Sequence, residues 1–488
     1  MLAILASCIV NLPRTSGRLL ARFIFLLLPL SYIMPILPID SGRYGSKEIK
    51  KIFEEDQRLR YEIEFEAAVA LAQGQIGLIP SYASEEIANI AKSDAISLKR
   101  VKELEMVSDH DTAAIIESLS EQCSPRTKPW IHYGLTSSDV VDTSTSMQIR
   151  DMFAVIEPKI SGLATNLINR AIEFRTLPAV GRTHGQHASI IAFGLKFAVW
   201  AAEMAKHIER IEESKKRILR CKTLGVVGTG SLMGDNALAV QDIVSEKLGL
   251  IPVEAATQVI SREAYAELQF LIALIGSSLD KIAIEIRNLQ RTELAEVAEP
   301  FKEGQIGSSA VPIKRNPIKS ERVSSLARIL RSTVDISLEN IALWHERDLS
   351  NSANERFTIP TSAILIDEML NLISKVISEL HINKDKITSN IDITKGQIYA
   401  EFVLEALVKK KIPRFDAYRE IQRVAFLSLQ NGEHFLEAMI KDPWLSKELT
   451  EKELRSLFDP NDHLSASSKI IDKVAILVRE TNRKFSLN

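Results

Sequence analysis

Cysteine is nearly absent from this chain. Its three cysteines, Cys8, Cys123 and Cys221, are odd in number and far apart in 488 residues, which excludes a disulfide framework and any compact thiolate metal site. An excess of charge is missing too. The 61 basic and 63 acidic residues leave a formal net charge of -2, so nothing draws the chain generally to nucleic acid or to an anionic membrane, and any anion must be bound by local donors. Repeats and low-complexity tracts are lacking. A transmembrane helix needs about 20 apolar residues with few breaks, and the one strongly apolar run, Phe23 to Leu30, is short and contains Pro29.

What is present is apolar and helical. At 45% hydrophobic and 25% charged residues the chain can bury a large core and divide into more than one domain. The sparse cysteines fit a reducing, cytoplasmic setting. Arg14, Arg18 and Arg22 before the apolar run give the start the look of an export signal. Met34-Pro35-Ile36-Leu37-Pro38 reads instead as the natural start, so residues 1–33 are expected to be a non-native extension arising upstream. Residues before Met34 in the native protein, found by N-terminal mass spectrometry, would reject that reading.

Helical periodicity runs through long stretches while period-two strands are scarce, so the expected fold class is all-α. Leu268, Ile272, Ile275, Leu279, Ile282, Ile286 and Leu289 form an apolar seam of the kind that packs in bundles. A second seam, Ile149, Met152, Ile156, Ile160, Leu163 and Leu167, carries Pro158, which removes a backbone bond and usually kinks a helix. A third helix is expected from Ala188 to Leu219. A fourth is expected to start with Asn316 as N-cap and Pro317 at its first position, and to run to Trp344. The predicted organisation is an N-terminal helical domain over 34–139, a central bundle over 140–380 with a mobile catalytic loop at about 299–316, and a C-terminal helical domain over 381–488. Helices this long and this apolar are hard to bury in a monomer, which predicts a symmetric oligomer.

The stretch between the helix ending near Ala298 and Pro317 carries the chemistry. It contains Pro300, Gly304, Gly307 and Pro312, then two hydroxyls, Ser308 and Ser309, followed by Lys314, Arg315 and Asn316 at the positive end of a helix dipole, which suits an anion. A basic linker that merely caps a helix is the plain alternative. Glu321, one turn on, reads equally as a helix-dipole partner or as a partner for a histidine. His110 beside Asp111 can be a helix-start residue or a ligand contact. His184 and His187 lack the third ligand that a metal site needs, so no metal is expected. Gly228-Thr229-Gly230 has neither the preceding strand nor the spacing of a nucleotide-binding loop.

The run Gly307-Ser308-Ser309-Ala310-Val311-Pro312-Ile313-Lys314-Arg315-Asn316 resembles the signature of the fumarase/aspartase superfamily, Gly-Ser-Ser-x-Met-Pro-x-Lys-x-Asn. Val311 stands in place of its methionine, and Ile313 where a histidine is usual. Gly181 to Ala188, with glycine rather than leucine after His184, and Leu343 to Asp348 through Arg356 look like the adenylosuccinate lyase family within it. The resemblance extends over nearly all of the chain from Arg43 onward. It implies elimination of fumarate from adenylosuccinate and from the succinylated aminoimidazole carboxamide ribotide, without a cofactor.

Matched position by position, the resemblance makes Ser308 the general base and His184 the general acid, with Glu321 holding a histidine protonated and His110 in the catalytic set. It implies that Arg43, Tyr44, Ser352 and Arg356 bind the nucleotide phosphate. Asp111, Thr136, Ser137, Gln258, Lys314, Asn316 and Arg347 match the remaining substrate contacts. It further implies a homotetramer with active sites shared between chains. The rival readings are another fumarate-releasing lyase, such as one acting on argininosuccinate, an inactive helical scaffold, and a membrane-anchored binding protein resting on residues 1–33.

Overall fold

A computed structural model describes residues 37–302 and 304–485; the proposed extension, 1–33, and Cys8 lie outside the described residues. The chain forms two units, Met1–Tyr44 and Gly45–Asn488. The described part of the first is a short turn closed by the Arg43 amide, which donates to the Pro38 carbonyl at 3.2 Å.

The second unit is helical, as expected. It opens with α1 (Lys47–Phe53), α2 (Glu55–Gln75), α3 (Ser81–Lys92), α4 (Leu98–Ser108) and α5 (Asp111–Gln122). Ser46, Ser97 and His110 cap three of these by accepting first-turn amides that no helical carbonyl can reach. The long helices follow: α6 (Ser137–Glu173), α7 (Gly194–Ile218), α8 (Ala237–Leu248, packed on α2), α9 (Glu263–Leu289), α10 (Ile318–Glu339) and α11 (Ser352–Glu379). The seam from Leu268 to Leu289 is buried along all of α9, and that from Ile149 to Leu167 along α6. Each such side chain stabilises the fold by about 1.5–3 kcal/mol relative to exposure. α9 packs against α7, α10 and α11, and α6 against α7 and α11.

Short helices come next: α12 (Lys384–Ile391), α13 (Ala400–Lys409), α14 (Arg414–Asn431), α15 (Phe435–Lys441), α16 (Leu445–Glu448) and α17 (Glu451–Leu457). Those from α13 onward close on their own core of Val403, Leu407, Phe435, Met439 and Leu454. The last helix, α18 (Ser465–Phe485), returns to pack on α6 and α7.

Two sequence expectations fail locally. The helix expected from Ala188 is a hairpin first, β1 (Pro178–Thr183) against β2 (Gln186–Ala192), antiparallel, with helix only from Gly194. A short apolar run such as Ser189-Ile190-Ile191-Ala192 satisfies strand and buried helix alike, and the β-branched residues on both arms favour the strand. The helix expected over 316–344 spans Ile318–Glu339, with Pro317 at its N-cap. Its continuation fails because the Trp344 amide donates to the Asp348 carboxylate at 2.7 Å instead of to a helical carbonyl.

Candidate active site

The start of α5, the first turns of α6, the Gln258 loop and the start of α11 surround a cavity of about 770 Å³, a size that suits a nucleotide. Of the residues chosen from sequence, His110, Asp111, Ser137, Gln258, Arg347, Ser352 and Arg356 line it. His110 is both a helix-start residue and a wall residue. Its Nδ1 accepts the Ala113 amide at 3.3 Å, which requires a lone pair on Nδ1. The Asp111 carboxylate accepts the Thr112 amide at 2.7 Å and the Arg356 guanidinium at 2.8 Å, and Arg58 lies 3.7 Å away. Burial alone would raise this carboxyl, but the amide and the two guanidiniums together hold it below its usual range. Arg347 donates to Gln258 Oε1 at 3.0 Å, and the Gln258 amide donates to the Glu346 carbonyl at 3.1 Å.

Two buried ion pairs support the cavity, one behind its wall and one within it. Lys222 and Asp139 have fully buried side chains and bond each other. Asp139 Oδ2 also accepts the Thr136 amide at 2.8 Å and the Gly225 amide at 3.0 Å, so one carboxylate fixes both the N-terminus of α6 and the glycine turn. Thr136 therefore sits at the helix cap beside the cavity, and Ser137 faces into it. Arg262 grips Asp142 through two bonds of 2.9 Å. Arg58, Asp142, Arg262 and Glu355 also line the cavity and were not singled out from sequence. The visible signal was the pair of acids Asp139 and Asp142, one helical turn apart at the start of a helix whose later turns carry an apolar seam.

The serine loop closes on itself. Asn316 Nδ2 donates to the Gly307 carbonyl at 2.9 Å, and a Cβ on Gly307 would meet the Lys314 carbonyl at 2.2 Å. Ser308 Oγ accepts the backbone amides of Val311 at 3.1 Å and Ala310 at 3.4 Å. Donors placed this way favour the ionised form of an oxygen. The expected role of Asn316 as helix cap is not seen. Buried Glu299 takes that place, accepting the Ser320 amide at 2.7 Å and the Lys319 amide at 3.2 Å. The positive helix end thus already holds an anion, the chain's own carboxylate. Lys314, Asn316 and Glu321 line a second hollow of about 900 Å³ together with Arg287, Arg291 and Arg315. Among the described residues Glu321 makes no ion pair or hydrogen bond with a histidine.

His184 and Gly185 form the two-residue turn between β1 and β2, with φ of 53° and 76°. Positive φ at both positions is the turn that matches hairpin twist, and it projects the exposed His184 outward. Arg182 roots the hairpin through buried Glu296, at 2.6 Å. Ser308 and His184 line neither hollow. Arg43 and Tyr44 belong to the first unit. Among the described residues no cluster of three metal-ligating side chains occurs, and no helix is long and apolar enough to cross a membrane.

Comparison with known proteins assigns this framework. A family described as "Lyase" matches residues 42–330, and one described as "Adenylosuccinate lyase C-terminus" matches 396–474. The adenylosuccinate lyase of Pyrococcus abyssi is 41% identical over 92% of this chain and all of its own length. That of Methanocaldococcus jannaschii is 39% identical over 93% of this chain and 97% of its own. The chain belongs to the adenylosuccinate lyase family. Among solved structures, a fumarate lyase from Mesorhizobium sp. BNC1 is 29% identical, with a TM-score of 0.81 over 88% of this chain and 97% of that one. A 3-carboxy-cis,cis-muconate lactonizing enzyme from Pseudomonas putida, at 24% identity and a TM-score of 0.81, shows that the helical fold is shared more widely than the family.

Proposed function

We propose that this family member is a carbon-nitrogen lyase that eliminates fumarate from adenylosuccinate, leaving AMP, and from the succinylated aminoimidazole carboxamide ribotide, leaving the carboxamide ribotide. The observation that carries the reading is the cavity in which family-matched residues of α5, α6, the Gln258 loop and α11 converge around Arg347 and Arg356. Guanidiniums and hydroxyls suit a phosphate; Ser352 and Arg356 are the phosphate donors proposed in this cavity, and Arg43 and Tyr44 are proposed as phosphate donors on the family resemblance alone. Asp111, Thr136, Ser137, Gln258 and Arg347 would hold the rest of the nucleotide.

In the reaction a base takes a proton from the succinyl carbon beside a carboxylate. The electron pair forms the double bond of fumarate, the carbon-nitrogen bond breaks, and an acid protonates the nitrogen. Ser308 is the proposed base, with the Ala310 and Val311 amides stabilising its ionised oxygen. Lys314 and Asn316 would balance the charge that builds on the succinyl carboxylate. His184 is the proposed acid, with Glu321 and His110 in supporting catalytic roles. No cofactor enters this chemistry.

The proposed assembly is a cytoplasmic homotetramer whose active sites draw on more than one chain. The nucleotide cavity and the hollow beside the serine loop share no lining residue, and His184 lines neither, which supports shared sites. The test is the absorbance change on adding adenylosuccinate to protein beginning at Met34. Turnover by the wild type, and about 10³-fold less by Ser308→Ala, is expected; no turnover by either would reject the reading.

A further inference from the structure

The Gln258 loop, the first turns of α6 and the start of α11 each supply side chains to the cavity, and one side chain touches all three. Arg262, at the N-cap of α9, is 4% exposed. On α6 it grips Asp142 with Nη1 to Oδ2 and Nη2 to Oδ1, both 2.9 Å. In the Gln258 loop its Nη1 also donates to the Ile260 carbonyl at 2.7 Å, while the Ile260 amide donates to Asp142 at 2.8 Å. On α11 its Nε lies 3.0 Å from Glu355 Oε1. Glu355 in turn accepts from Asn351, the residue before Ser352, at 3.0 Å. The Tyr265 ring packs under the guanidinium, 4.9 Å from centroid to Cζ.

A bulk-stabilising ion pair joins two elements. This guanidinium spends its fork on Asp142 and its shared donor on the loop backbone, and meets the third segment as the charge partner of Glu355. A planar, multi-donor cation fixes directions as well as distances, which a lysine ammonium in the same place cannot do.

We infer that Arg262 is the positioning residue of the nucleotide cavity, holding Ser137, Gln258 and Arg356 in mutual register through Asp142, Ile260 and Glu355. The inference rests on the reading of that cavity as the nucleotide site. Arg262 acts through its neighbours, and the proposed base and acid are carried elsewhere, on the loop at Ser308 and the hairpin at His184. Its loss therefore weakens ground-state and transition-state binding alike, which raises KM and leaves kcat close to its original value.

The experiment uses the full-length assembled protein with Arg262→Lys and Glu355→Gln, measuring KM and kcat for adenylosuccinate, AMP binding by calorimetry, and the thermal midpoint. Arg262→Lys keeps the charge but loses the fork; about a tenfold rise in KM and in the AMP Kd, with kcat within about threefold, is expected. Glu355→Gln keeps the acceptor for Asn351 and should raise both by about threefold. A lowered thermal midpoint with unchanged KM and AMP Kd in both variants would reduce Arg262 to a structural ion pair and overturn the inference, as would a fall in kcat at constant KM. A wild type that binds AMP but does not turn over adenylosuccinate rejects the proposed reaction alone, and AMP affinity then decides the role of Arg262. A wild type that does neither overturns both. If Arg262→Lys fails to fold, the Glu355→Gln values decide.

Discussion

In the wall of the cavity proposed for the nucleotide, Ser137 stands in front of Asp139 and Lys222, and Gln258 stands near Asp142 and Arg262, four side chains buried from bulk water. In the serine loop and the hairpin the order is reversed. There the backbone is fixed, by Asn316 to Gly307 and by Arg182 to Glu296, while His184 and Lys314 are exposed and Ser308 half-buried. On the proposed reading, the groups that bind the nucleotide stand on a buried framework, while Ser308 and His184, the proposed base and acid, stand where a surface from another copy would exclude water around them.

The sharpest way to break this contrast is to remove the two projecting groups separately. Ser308→Ala and His184→Ala are each expected to lower kcat by about 10³-fold. Mixing the two inactive proteins under conditions of subunit exchange should restore part of the activity, because some sites then draw an intact serine loop and an intact hairpin from different chains. No recovery despite demonstrated exchange would mean that each chain completes its own site.

The next largest effect lies in the wall. Removing one member of a fully buried pair strands the other, so Asp139→Asn and Lys222→Met should each lower the unfolding free energy by about 3–5 kcal/mol. The double substitution should cost less than the sum, since neither charge remains unpaired. Additive losses in urea denaturation would show that the two side chains do not act as a pair. In the loop, by contrast, Gly307→Ala drives a Cβ against the Lys314 carbonyl and displaces Ser308. It should lower kcat by about 10²-fold with little change in the thermal midpoint. A fall in stability instead would make the loop part of the core.

How much of this was legible in the sequence follows the same division. The seams in α6 and α9 were visible because burial of a helix face imposes a 3.6-residue period on side-chain type. The Gly307 to Asn316 segment was visible as composition, glycine and proline interleaved with hydroxyls and cations. The use of Asn316 was misread. The local rule makes Asn before Pro a helix cap, but Glu299, a residue distant in sequence from Ser320, fills that place with a full charge, freeing Asn316 to close the loop. The hairpin at His184 was taken into a helix because an apolar run that short has no distinguishing period. Lys222, Arg262 and Glu355 passed unnoticed for a different reason. A buried charge is recognisable only through its partner, and the partners, Asp139 for Lys222, Asp142 for Arg262 and Arg262 for Glu355, are far away along the chain.

The smallest effect tests whether the wall is also set electrostatically. His132 stands just before α6, with Nδ1 2.6 Å from Glu66 Oε1. Burial disfavours its charged form, but Glu66, by charge and hydrogen bond, and Asp139 behind it outweigh that, so its pKa lies above the ordinary histidine value. A group whose folded pKa is raised binds its proton more tightly in the native state. Its stabilisation is therefore complete below the unfolded value, about pH 6.5, and is lost as pH rises through the folded value. Urea denaturation of wild type and His132→Asn between pH 5 and 9 should show the wild-type advantage shrinking as pH rises. A gap that stays constant, or widens upward, would mean that His132 holds the approach to α6 as a neutral hydrogen-bond partner, leaving Lys222 as the only cation that matters to Asp139.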